Sequence, residues 1–265
     1  MFDRFHRKIN YLRISVTDLC NLRCVYCMPA SGVPLKRHED ILSFEEIEAL
    51  TKVAVNLGID KVRLTGGEPL VRRNILELVR RLGKLQGILD FAMTTNGVFL
   101  PQYALALKEA GLHRVNISLD CLDPKHFSEL TRGGSVTDTL AGIEAALATG
   151  FRQVKINCVV NESPDEPQAR DVATYCRERG LEVRFIRKMD TAKGDFWRVI
   201  GGEGGHCDIC NRIRVSSDGH VFPCLFSNLK FSIREFGPEQ AMRLAIENKP
   251  IRGQRSQNKF YALGG

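Results

Sequence analysis

The chain has no apolar stretch approaching the roughly 20 residues needed to cross a bilayer, which excludes a membrane-spanning helix. It has no internal repeat of fixed period and no low-complexity tract, which excludes solenoids and propellers. It has one Trp and five Tyr, and no stripe of interleaved basic and aromatic residues, so nucleic-acid binding through base stacking is not expected. The opening MFDRFHRKINYLR is basic but no apolar segment follows it, so it does not read as a secretory signal, and a cytoplasmic protein is expected. Nine cysteines are then poorly explained by disulfides and better explained by metal ligation. The chain is 265 residues long and 43% hydrophobic, enough for one sizeable domain with an appendage. A net charge of +7 fits either a solvated basic face or a polyanionic ligand, and charge alone does not separate them.

What is present is a strand-then-helix rhythm. β-rich runs fall at residues 12–16, 61–64, 90–94, 114–118, 153–159 and 182–186. Helical patterns fall between them, at 44–57, 73–85, 101–110, 137–148 and 166–179; Ser43 with Glu46 resembles a capping box at the first. Helices between strands imply right-handed crossovers and parallel pairing. The expected fold is of the α/β class, a partial (β/α)6 TIM-type barrel, with an open doubly wound sheet as the other candidate. The rhythm stops near Lys188. A Gly-rich stretch, GDFWRVIGGEGGHC, reads as a flexible connection. Strand-like runs at 212–215 and 220–222 then flank Ser217-Asp218-Gly219, a hairpin signal, and a last helix is expected at 238–247. The division is placed at 1–190 for the barrel and 191–265 for a small C-terminal iron–sulfur appendage.

Directly after the first strand comes Cys20-Asn-Leu-Arg-Cys24-Val-Tyr-Cys27. Three thiolates within eight residues can wrap one iron–sulfur cluster, and with no fourth cysteine nearby one iron keeps an open position. Zinc is the alternative, but it would want a fourth protein ligand. Further along stand Thr65-Gly66-Gly67-Glu68-Pro69 after the second strand, Thr94-Thr95-Asn96-Gly97 ending the third and Asn116-Ile117-Ser118-Leu119-Asp120 ending the fourth. Polar residues at strand C-terminal ends face the active mouth of a barrel. The spacing, the aromatic Tyr26 before the last cysteine and these motifs in this order resemble the radical S-adenosylmethionine superfamily. The resemblance implies a [4Fe–4S] cluster on Cys20, Cys24 and Cys27. It implies S-adenosylmethionine bound near Tyr26, Gly66, Gly67, Glu68, Thr95, Asn96, Ser118 and Met189, with Glu68 as an anionic partner for the cofactor's ammonium.

A second set, Cys207-Asp-Ile-Cys210 with Cys224 across the hairpin, again offers three cysteines. Spacing alone leaves open a zinc knuckle with His206 or His220 as fourth ligand. Cys121, Cys158 and Cys176 read as buried small hydrophobes. The runs Leu12-Arg13-Ile14-Ser15-Val16-Thr17-Asp18-Leu19-Cys20 and Cys207-Asp208-Ile209-Cys210-Asn211-Arg212-Ile213-Arg214 look like the GTP 3′,8-cyclase family of molybdenum cofactor biosynthesis, as do Asp218-Gly219, Pro223-Cys224-Leu225 and the closing Gly264-Gly265. This narrower resemblance implies a second [4Fe–4S] cluster on Cys207, Cys210 and Cys224, with one iron left for the guanine base. It implies a 5′-deoxyadenosyl radical that takes the 3′ hydrogen of GTP, after which the ribose radical attacks C8. Arg13, Arg63, Thr94, Lys155, Arg184, Arg212 and Arg214 fall where that family contacts GTP; Arg13, Gly264 and Gly265 are the residues implied to serve the chemistry itself. Two departures touch the substrate chamber. The chain is shorter between the sixth strand and the second cysteine set, and Arg187 stands where the family usually has an acidic residue. Partners implied are an electron donor such as flavodoxin or ferredoxin and a downstream pterin synthase. A radical enzyme acting on a peptide or another nucleotide, and a non-catalytic iron–sulfur or zinc protein, stay open at this point.

Overall fold

The structure, a computed structural model, describes residues 1–264, and Gly265 lies outside the described residues. From β1 (Tyr11–Ser15) a long loop runs to α1 (Phe44–Asn56); then follow β2 (Lys61–Thr65), α2 (Ile75–Gly83), β3 (Asp90–Thr95), α3 (Leu100–Glu109), β4 (Arg114–Ser118), α4 (Pro124–Thr131), α5 (Val136–Thr149), β5 (Gln153–Val160), α6 (Pro167–Glu178) and β6 (Glu182–Arg187). The C-terminal part adds β7 (Arg212–Val215), β8 (His220–Phe222), β9 (Phe231–Ser232), α7 (Ile233–Phe236), α8 (Pro238–Glu247) and α9 (Phe260–Leu263). The strands form one sheet in the order β6-β5-β4-β3-β2-β1-β7-β8-β9. Strands β1 to β6 are parallel neighbours, as right-handed crossovers require. β6 does not pair with β1 among the described residues, so the barrel is partial. No helix among the described residues is long and apolar enough to cross a membrane.

The six strands and five connecting helices lie where the hydrophobic periodicity puts them, and the capping box forms: Ser43 Oγ accepts from Glu46 N at 3.1 Å, and Glu46 Oε2 from Ser43 N at 2.7 Å. α4 is an element the periodicity does not reveal. It has only eight residues and is started by a local device, Asp123 accepting from His126 N at 2.7 Å with Pro124 in the first turn. The Gly-rich stretch is not a loose connection. Phe185 and Ile200 exchange backbone hydrogen bonds of 3.0 Å, which pin it to β6. Gly205, at φ +76°, permits the fold-back: a Cβ there would lie 1.9 Å from the Trp197 carbonyl oxygen. The hairpin forms as expected, and β7 continues the barrel sheet by pairing parallel with β1, Arg13 opposite Arg214.

Parallel strands covered on both sides usually read as continuous apolar runs. Here they alternate. Leu12, Ile14, Val62, Leu64, Phe91, Met93, Val115, Ile117, Ile156 and Ile213 point to the helices and are almost fully buried. Tyr11, Arg13, Lys61, Arg63, Asp90, Arg114, Asn157, Arg184, Arg212 and Arg214 share the opposite face and line a cavity of about 480 Å³. The inside of this barrel is therefore a polar chamber, and the core lies between sheet and helices.

Candidate active site

The cysteine loop after β1 is held from two sides. On one, Val25 N donates to Leu130 O at 2.9 Å and Arg23 N to Thr131 O at 3.1 Å, so the end of α4 anchors it. Arg132, at φ +55°, turns back and donates to the carbonyls of Arg23 and Met28, each at 2.8 Å. On the other side the Gly66-Gly67-Glu68 turn docks, with Gly67 N to Thr17 O and Glu68 N to Leu19 O at 2.8 Å. A Cβ on Gly67 would lie 2.2 Å from the Leu19 carbonyl oxygen. The close approach that Gly67 allows is thus to the protein's own cysteine loop.

Cys20, Cys24 and Cys27 are half-buried. Burial pushes the Cys20 thiol up to about 11, and burial with Asp120 and the neighbouring cysteines pushes Cys24 up to about 12; burial, Cys20 and Asp120 do the same for Cys27. Three thiols within electrostatic reach of each other ionise together only around a cation. Cys20 Sγ also accepts from Leu22 N at 3.4 Å and from the Asn96 amide at 3.9 Å. Three soft donors with N–H groups aimed at a sulfur fit an iron–sulfur cluster. Tyr26 OH donates to Asp120 Oδ2 at 2.6 Å, tying the loop to the end of β4.

Glu68 is 1% exposed and accepts from Thr95 Oγ1 at 2.8 Å, Asn96 N at 2.7 Å and Leu70 N at 3.0 Å. The structure thus brings Glu68, Thr95 and Asn96 into one cluster beside Cys20. Burial pushes the Glu68 carboxyl up to about 7 against these donors. A carboxyl raised in the folded state stabilises it fully below the unfolded value of about 4.5, and that contribution is lost as pH rises through 7. Thermal melts of the cluster-free chain should lose on the order of 3 kcal/mol across this window. Asp120, pushed up to about 6 by burial, adds a smaller slope of the same sign. The loss should shrink in Glu68→Gln; an unchanged slope would show that Glu68 is already ionised.

The main cavity unites most of the proposed substrate residues with the second cysteine set. Arg13, Arg63, Arg184, Arg212, Arg214, Met189, Cys207, Cys210 and Cys224 all line it. Arg214, Arg13 and Arg63 stand side by side in register across β7, β1 and β2, each under 10% exposed. Burial, and then neighbouring arginines, pull all three guanidinium pKa values down. Arg63 and Arg212 leave their Nε atoms without a hydrogen-bond partner among the described residues, and so does the Tyr11 hydroxyl. Buried polar atoms left open on Arg63, Arg212 and Tyr11 can seat an anion. Arg114 pairs with Asp90 at 2.6 Å, and Lys155 with Glu182 at 2.7 Å. Arg184 also bonds Glu182, at 3.1 Å. Lys155, Thr94 and Ser118 are not among the residues lining this cavity.

A second opening of about 720 Å³ is lined by Tyr26, Cys27, Arg187, Met189, Trp197 and Tyr261, among others. Met189 and Trp197 line both spaces, so the cysteine loop and the arginine chamber adjoin there. Arg187 stacks on Trp197, its guanidinium carbon 3.7 Å from the ring centre. The tail reaches the barrel interior: Arg214 donates to Gly264 O at 2.5 Å, and a Cβ on Gly264 would lie 1.9 Å from Thr65 Oγ1. Gly265 lies outside the described residues. Sequence reasoning missed Tyr11 and Lys61, although each stands two residues before a selected arginine on the same strand face. It also missed Trp197 and Lys249, which carry no local signal, whereas Asp120 stood in the motif quoted at the end of the fourth strand.

A half-barrel of parallel strands with a three-cysteine loop after the first strand is the architecture of radical S-adenosylmethionine enzymes, and residues 14–183 match the Radical SAM superfamily. Among solved structures, Streptococcus suis SuiB bound to S-adenosylmethionine has a TM-score of 0.65 at 16% identity, covering 91% of this chain and 64% of that one. Native anSMEcpe with bound AdoMet has a TM-score of 0.64 at 18% identity, covering 90% and 81%. Both establish the fold alone. GTP 3′,8-cyclase of Moorella thermoacetica is 42% identical, with 100% of each chain covered. That of Alkaliphilus metalliredigens is 40% identical over 94% of this chain and 88% of its own. The chain belongs to the Radical SAM superfamily and, within it, to the GTP 3′,8-cyclase family.

Proposed function

We propose that this protein is a GTP 3′,8-cyclase that acts in molybdenum cofactor biosynthesis, with a [4Fe–4S] cluster on Cys20, Cys24 and Cys27 and a second on Cys207, Cys210 and Cys224. The observation that carries this reading is the row Arg214–Arg13–Arg63 inside a cavity also lined by the second cysteine set. A triphosphate offers the charged, bidentate acceptors that the open Nε atoms of Arg63 and Arg212 favour, whereas a peptide backbone offers only neutral carbonyls. When bound, the first cluster and S-adenosylmethionine supply one-electron, carbon-centred radical chemistry. The chain's own residues do the rest. Glu68, already surrounded by donors, takes the cofactor's ammonium as its remaining partner. Arg63, Arg212 and Arg214 hold the phosphates, Cys207, Cys210 and Cys224 present the group that meets the base, and the tail and Gly-rich segment keep water out. We further propose a cytoplasmic location, a flavodoxin or ferredoxin as reductant, a pterin synthase as consumer of the product, and a division of labour between residues 1–190 and 191–265.

The test is anaerobic reconstitution followed by S-adenosylmethionine and dithionite, with and without GTP. The expected result is about eight irons per chain, 5′-deoxyadenosine whose yield rises with GTP, and a cyclised guanosine product. Zinc in place of iron, or no response to GTP, counts against the reading. In the same assay Arg63→Met should raise the KM for GTP about tenfold or more, since a charge-assisted hydrogen bond contributes roughly 1.5–3 kcal/mol. Its 5′-deoxyadenosine formation without GTP should match the parent.

A further inference from the structure

Lys249, just past α8, is 2% exposed and is among the largest fully buried side chains of the protein. It lines the main cavity beside Cys207, Cys210 and Cys224. Its Nζ donates to Arg212 O and to Pro223 O, both at 2.7 Å. Arg212 is two residues beyond Cys210, and Pro223 directly precedes Cys224. One ammonium thus ties together the two chain segments that bring these cysteines across the hairpin. The following residues extend the tie to the remaining cysteine. The Arg7 guanidinium donates to Pro250 O at 2.7 Å, Ile251 O at 3.1 Å and Cys207 O at 2.7 Å.

Arg7 carries its own counter-ion, Asp3, at 2.6 Å. Lys249 is different: no carboxylate pairs with it among the described residues, and its Nζ meets two neutral carbonyls and the Cys210 side chain. A buried ammonium without a carboxylate partner is unfavourable unless another anion lies close by. Cys207, Cys210 and Cys224, which line the same cavity, become that anion as thiolates of a bound cluster.

We propose that Lys249 is the positioning residue of the second cysteine site, tying the Cys210 and Cys224 segments through two carbonyls and supplying the fixed positive charge that balances the anionic group held there. This rests on the reading of that site as a [4Fe–4S] cluster. A cation in a dry wall favours the more negative, reduced state, so it raises the site's reduction potential. It leaves the cysteine loop after β1 untouched.

The experiment uses the full chain with Cys20, Cys24 and Cys27 all changed to alanine, so that one cluster remains. Iron content and a redox titration followed by electron paramagnetic resonance are measured with Lys249, Lys249→Arg and Lys249→Gln. Gln keeps a donor for the carbonyls and removes the charge; Arg keeps the charge. With Lys249 in place the chain should hold about four irons. Lys249→Gln should shift the reduction equilibrium about tenfold toward the oxidised state, equivalent to about 59 mV for one electron. Lys249→Arg should stay near the parent. Loss of the cluster in Gln with retention in Arg also supports the proposal. An unchanged potential in Gln overturns it, as does equal loss in both variants with the fold retained by circular dichroism. Absence of iron in the Lys249 background would sink the second-cluster reading itself, and is recognisable because it precedes any change at 249.

Discussion

Cys24→Ala is expected to reduce iron from about eight to about four per chain and to bring 5′-deoxyadenosine formation down to the uncatalysed background. The middle cysteine is the informative one to remove. Cys24 sits in a turn in which its carbonyl accepts from both Cys27 N and Met28 N at 3.0 Å. Alanine preserves that backbone geometry, so the loop stays docked on α4 and on the Gly66-Gly67 turn while one sulfur is lost. With two cysteines left, the loop no longer encloses a cubane on three corners. GTP should still bind, because the Arg214–Arg13–Arg63 row lies on the strands and not on the loop. Equilibrium binding of GTP to the variant checks this separation. Retention of all the iron, or of S-adenosylmethionine cleavage, would remove the basis for assigning the radical step to this loop.

Gly264→Ala is expected to lower GTP turnover roughly a hundredfold, the scale of a misplacement of about 1 Å at a reacting centre, while both clusters assemble and S-adenosylmethionine cleavage without GTP persists. The position has no room for a methyl group: the added carbon would lie 1.9 Å from Thr65 Oγ1 and 2.6 Å from Thr65 Cβ. Its backbone sits at φ +64°, where a side chain adds strain. The tail would have to leave, taking with it the hydrogen bonds from Arg214 to Leu263 O and Gly264 O. Arg214 would then lose its fixed orientation within the arginine row. Leu263, 1% exposed in a small apolar cluster with Phe222, Leu225 and Phe226 beside Cys224, would lose its packing as well. The pair of readouts decides the matter. Loss of GTP turnover with intact clusters identifies the tail as part of the substrate chamber; loss of iron would make it a structural plug instead, and parent-level turnover would leave it no role.

The cysteine loop and its dependence on glycine were legible because both are local. Cys20, Cys24 and Cys27 lie within eight residues. Gly66 and Gly67 directly follow β2, and their contacts are to the loop that directly follows β1, its parallel neighbour. The arginines of the chamber were legible in part, from their places on strands. Their companions were not. Lys155 reads like Arg63 in sequence, yet Glu182, opposite it on β6, neutralises it, whereas Arg63 has Ala92 in that place on β3. α4 escaped notice because eight residues give too little periodicity, and its purpose, to present Leu130 and Thr131 carbonyls to the cysteine loop, exists only after folding.

The order of strands and helices, the three-cysteine loop and the alternation of charged with apolar residues along the strands are properties of neighbouring residues, and the chain states them by itself. Which cations pair with a carboxylate, how the tail meets Thr65 and how Lys249 comes to lie among three cysteines depend on pairs far apart in sequence. Those pairings are decided by sheet register and by the packing of the C-terminal segment on β1. Only the tertiary structure brings these charges close enough, and dry enough, to act on one another.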